Sequence, residues 1–133
     1  MKSKCILGGA KLKLFIHENN GWLQSLQVHK HEIPQMKKLL AEAIKDEQIT
    51  EEQKLPATKH FNTELMTQEK EIGKLTNDLE AQQQRLTKDW EGNIQYDIDS
   101  FCTQDILRDR IKAIEKSYID LKCNFMNYLA NIA

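Results

Sequence analysis

Three runs of residues spaced alternately three and four positions apart constrain this chain more than anything else in it. The first is Trp22, Leu26, His29, Ile33, Met36, Leu40 and Ala43. The second is Phe61, Leu65, Gln68, Ile72, Leu75, Leu79, Gln82 and Leu86. The third is Leu107, Ile111, Ile114, Tyr118, Leu121, Phe125, Tyr128 and Ile132, with no polar exception beyond the tyrosine hydroxyls. Such steps put side chains on one stripe of an α-helix, whereas a strand would repeat every second residue. A stripe of this width must be covered by another apolar surface. The expected fold is therefore all-α: an antiparallel helical bundle, coiled-coil-like, of three long helices. The second and third should have about 30 residues each, roughly 45 Å of helix, with a shorter first helix packed across one end.

The punctuation of the chain agrees. Only five glycines and two prolines interrupt it, too few for the turns of a sandwich or barrel. The run Glu18-Asn19-Asn20-Gly21 offers caps before Trp22, so residues 1–20 are expected to be poorly ordered or extended and residues 21–133 to form one bundle domain. The charged stretch from Asp46 to Pro56 suits a loop. Trp90-Glu91-Gly92-Asn93 suits a helix end, and Asp99, Ser100 or Thr103 an N-cap. Pro34 falls inside the first run, where a proline costs about 3 kcal/mol, so the first helix should kink or break there. Residues 11–30 admit a second reading. Lys11-Leu12-Lys13-Leu14 alternates and Asn20-Gly21 is a favoured hairpin turn, so a β-hairpin competes with the preferred helix.

The residues Trp22-Leu23, Leu26, Glu32-Ile33-Pro34, Met36-Lys37, His60-Phe61, Ile72-Gly73-Lys74-Leu75 and the stretch Ile119 to Leu129 give the chain a further character. Over roughly residues 22 to 130 it resembles a group of short bacterial helical proteins of unknown function. The resemblance implies a coiled-coil-like helical fold. It implies no activity, cofactor or functional residue.

Chemistry is sparse. None of the four histidines (His17, His29, His31, His60) has a glutamate three positions before it, as a di-iron or di-manganese bundle requires. His29 and His31 lie about 200° apart around a helix, so sharing one ion there is difficult. The three cysteines, Cys5, Cys102 and Cys123, are odd in number and widely spaced, which fits reduced thiols in the cytoplasm better than a disulfide framework. Cys102 and Cys123 are expected to serve as small apolar fillers. Gly8-Gly9 stands alone, without the strand-loop-helix context of a phosphate loop, and no nucleophile motif is present. With 19 basic and 20 acidic side chains the net charge is −1, which argues against a nucleic-acid partner. No apolar run approaches a membrane span.

Gln68 and Gln82 sit at seam positions, where a buried polar residue fixes register at a cost in stability. The alternative is that they reach water at the edge of a wider bundle. A pair of long helices would leave seam uncovered beyond the first helix, and the cheapest cover is a second copy. The reading is a non-enzymatic, cofactor-free protein–protein interaction or scaffolding module, expected as a homodimer with an unidentified protein partner. The alternative is a small-ligand or metal-binding bundle of the sensor or stress-response kind, which would need His29, Gln68, Gln82 and the tyrosines to converge.

Overall fold

The computed structural model describes the backbone of residues 2–46, 51–91 and 98–132, and side-chain surroundings for 9–45, 56–88 and 99–131. Every described residue lies in one of three α-helices: α1 (Lys2–Asp46), α2 (Glu51–Glu91) and α3 (Ile98–Ile132). They pack against each other as an all-α bundle. The β-hairpin over residues 11–30 does not form.

The 3-4 stripe is what the helices bury. All eight positions of the second run are buried. In the third, Leu107, Ile111, Tyr118, Leu121 and Phe125 are buried, with Ile114 and Tyr128 partly so; Ile132 falls outside the described side chains. In the first, Leu26, Ile33, Met36 and Leu40 are buried and Trp22, His29 and Ala43 half-buried.

The chain divides into two compact units: Met1–Leu26 with Gly73–Lys112, and Gln27–Ile72 with Ala113–Ala133. Each contains a segment of all three helices. Neither unit begins at residue 20, which lies inside α1. In the first unit α1 lies beside α3 in the same direction, as Phe15 meets Phe101 and Glu18 meets Gln104. There α2 runs antiparallel to both: Gln83 meets Ile16 and Asn20, and Asp78 meets Arg110. The second unit repeats this order, with His29 on Glu115, Glu32 on Tyr118, Lys37 on Glu69, and Phe61 on Phe125.

Two expectations about α1 are corrected. It is the longest helix, at 45 residues, rather than a short one across one end. Residues 1–20 are not an extended segment, since α1 begins at Lys2. The reason is that the stripe continues backwards from Trp22 through Asn19, Phe15 and Leu12, all three buried. Asn19 is thus a seam residue and not a cap. At Pro34, where a kink or a break was expected, α1 continues without a break. Pro34 is exposed, as is Lys30, so water can satisfy the carbonyl that loses its donor. Likewise α2 begins at Glu51, ahead of Pro56, where a loop was expected; residues 47–50 lie outside the described part. α2 is described to Glu91, and the rest of the Trp90–Asn93 signal lies outside the described residues.

Two helical glycines weaken these helices without a packing reason. A Cβ at Gly21 or Gly73 meets nothing within 4 Å. Alanine at either position is expected to stabilise the chain by about 0.5–1 kcal/mol, through the unfolded state. Thermal melts should show each variant rising by a few degrees and the pair adding; a fall at either site overturns this.

Candidate functional site

Polar side chains form a buried layer in the first unit and a partly buried cluster in the second. In the first unit each helix contributes one residue to a layer: Asn19, Gln82 and Gln104, exposed by 0%, 1% and 0%. Gln104 Nε2 donates to Asn19 Oδ1 at 2.8 Å and to Glu18 Oε1 at 3.1 Å. Gln82 Nε2 donates to the Ser100 carbonyl at 3.0 Å and to Gln104 Oε1 at 3.3 Å. At the rim, Arg108 grips Glu18 with two bonds, of 3.1 and 2.6 Å, and reaches Asp105 at 2.7 Å. Its guanidinium lies 6.0 Å from the Phe15 ring centroid and 5.9 Å from that of Trp22. Glu18 holds this already strong base more firmly in its charged form.

In the second unit, the His29 ring stacks on Tyr118 with centroids 4.1 Å apart, and its Nε2 lies 2.8 and 3.0 Å from the two Glu115 oxygens. The Tyr118 hydroxyl donates to Glu32 at 2.6 Å, and Lys122 Nζ donates to the other Glu32 oxygen at 3.0 Å. On α2, Gln68 donates through Nε2 to the Ser117 hydroxyl. Ser117 forms part of the wall of a shallow α2–α3 groove of about 490 Å3, together with His60, Glu64, Lys116, Asp120 and Asn124.

The Tyr118 hydroxyl and the Lys122 ammonium hold the Glu32 carboxyl below the usual carboxylate value. Burial, reinforced by the bond to Glu32, pushes the Tyr118 phenol up. The contribution of Glu32 is therefore present above about pH 4.5 and is lost as pH falls through its lowered value. That of Tyr118 is present below about pH 10 and is lost as pH rises through its raised value. Glu32→Gln should cost about 1 kcal/mol at pH 7, a figure reduced for partial exposure, and the gap from the parent should close towards pH 3. Urea denaturation across that range checks this. A gap independent of pH overturns it.

The sequence-predicted polar residues are thus placed in two groups. His29 meets Tyr118, and Gln68 lies in the same unit but on Ser117; Gln82 belongs to the other unit, and Tyr128 packs on Phe61. Both glutamines are buried seam residues, not edge residues reaching water. His31 is exposed, away from the half-buried His29. Among the described residues no three His, Cys, Asp or Glu side chains are placed to share a metal ion. Cys102 and Cys123 are free and exposed, correcting their expected role as apolar fillers: both fall on the outward side of α3. The pairs Glu18–Arg108 and Glu32–Lys122 went unseen in the sequence. Their signal was available, because each carboxylate precedes a seam position of α1 by one and each cation follows one of α3 by one, where parallel helices pair.

Comparison with protein-family models, with curated proteins and with solved structures found no match. No described helix is long and apolar enough to cross a membrane.

Proposed function

We propose that this chain is a non-catalytic protein–protein interaction or scaffolding module of the cytoplasm. One observation carries the reading: the seam polar residues bond neighbouring side chains across the helices, while large apolar side chains such as Val28, Ile106, Ile119 and Met126 are held at the surface of long helices. A ligand-binding bundle directs its converging polar groups into a cavity. Here His29, Glu32, Glu115 and Tyr118 bind each other instead. Free thiols at Cys102 and Cys123 fit a reducing compartment.

A second copy of the chain is one partner this reading admits. The seam that suggested it is covered by α1 along both units, so a homodimer would use the outer helix faces. The resemblance to short bacterial helical proteins supports the fold and assigns no partner. Native mass spectrometry of untagged protein from its own cytosol tests the proposal, with recovery of a stoichiometric protein complex expected. A chain carrying a stoichiometric metal or small molecule, and no protein, would replace this reading with the ligand-binding one.

A further inference from the structure

The surface of the second unit is unevenly apolar. Seven large hydrophobic side chains of the described chain are exposed, and four of them, Val28, Leu39, Ile119 and Met126, fall along one side of this unit. Their helical register explains the grouping. Glu32 pairs with Lys122 across the α1–α3 contact, so positions just outside that pair on each helix flank one groove. Val28 and Leu39 occupy the α1 side. Ile119 and Met126 occupy the α3 side. The registers of His29 with Glu115 and Glu32 with Tyr118 place the four along about a dozen residues, roughly 18 Å of helix.

The margins of this groove carry mostly one sign of charge. On α1 the solvent-facing positions 31, 38 and 45 are His31, Lys38 and Lys45; on α3, Lys116 lies beyond Ile119, on the ridge shared with the α2–α3 groove that Asp120 also lines. The three lysines are exposed, and Glu42 is the carboxylate on this margin. Glu32 and Glu115 on the groove floor are already engaged, by Lys122 with Tyr118 and by His29. An apolar stripe between two parallel helices, edged by cations, complements a helix with an apolar seam and acidic shoulders.

Resting on the interaction-module reading, we propose that this α1–α3 groove is a docking site for an acidic amphipathic helix of a partner protein, which would lie against the bundle as a fourth helix. The stripe supplies contact and the lysines supply selection of the acidic partner.

The test uses the full chain and two labelled synthetic amphipathic helices with the same leucine seam, one with glutamate and one with lysine on its shoulders. Fluorescence anisotropy at low salt is expected to show the acidic helix binding about tenfold or more tightly. The double variant Ile119→Ser with Met126→Ser should lose at least about tenfold of that affinity while melting near the parent temperature, since both sites are exposed. Lys38→Glu with Lys116→Glu should reverse the preference between the two helices. Equal binding of the two, no binding, or binding insensitive to these variants overturns the proposal. Two other outcomes overturn it by naming another occupant: retention on anionic phospholipid vesicles without binding of the acidic helix, or a self-association abolished by the serine pair. A native protein complex that survives the serine pair leaves the interaction reading standing and removes this groove from it. Loss of every native protein complex, in parent and variants alike, removes the reading itself.

Discussion

Phe125→Ala is expected to destabilise the chain by about 3–5 kcal/mol, the largest loss from any single substitution considered. Phe125 is fully buried and meets the Phe61 ring edge-on, with centroids 5.4 Å apart and planes at 77°. Phe61 in turn packs against Tyr128 at 5.1 Å, so truncation removes one ring from a three-ring stack joining α2 to α3. The cost joins lost burial to the cavity left behind, because neighbours on rigid helices collapse only partly. Urea denaturation followed by circular dichroism measures it. Phe125→Leu should recover more than half of the loss, and a loss below about 1 kcal/mol for alanine would show that the site closes up or was never tightly packed.

The second large effect concerns the amide layer of Asn19, Gln82 and Gln104, and its sign changes with the number of substitutions. Gln104→Leu alone should cost about 2–4 kcal/mol, because it strands the buried Asn19 Oδ1, leaves Gln82 with only the Ser100 carbonyl, and deprives Glu18 of a donor. Leucine at all three positions removes both sides of the Asn19–Gln104 and Gln82–Gln104 bonds together. That variant should be more stable than the parent, since Asn19 Nδ2 and Gln82 Oε1 have no hydrogen-bond partner among the described residues even in the parent. What it should lose is uniqueness. With an all-apolar layer, slipping one helix by a heptad no longer buries an unpaired amide, and sedimentation should detect mixed association states. A destabilised triple variant would show that the layer contributes net stability.

The helices were legible in the sequence because their signal is periodic: the second and third runs identify the buried faces of α2 and α3 residue by residue. The start of α1 was obscured by composition. Asn19, Asn20 and Gly21 look like a cap followed by a turn, although Leu12, Phe15 and Asn19 continue the same stripe. Local propensity lost to a seam that crosses it, and Asn19 is tolerated there because Gln104 supplies its partner. Gln104 itself was passed over for the same reason, lying three residues before Leu107 at a buried seam position. Sequence spacing could mark Gln68 and Gln82 as seam residues, but not which side chain each would find. That choice depends on the parallel pairing of α1 with α3. The groove proposed for a partner helix was equally hidden, since Val28, Leu39, Ile119 and Met126 become neighbours only through that pairing.

The same pairing sets a timetable. Contacts between α2 and α3 close over as few as 18 residues, at Gln82 and Ser100, whereas those between α1 and α3 close over 85–90. Longer closures cost more chain entropy before any contact repays it, so α2 and α3 should associate early and the α1–α3 contacts last. On the ribosome the order is stricter. α1 emerges first, yet Asn19, His29 and Glu32 have no α3 to meet until nearly ninety further residues have been added. For that interval its apolar stripe has only α2 to shelter it, and a nascent chain halted before α3 should be the form most prone to aggregate.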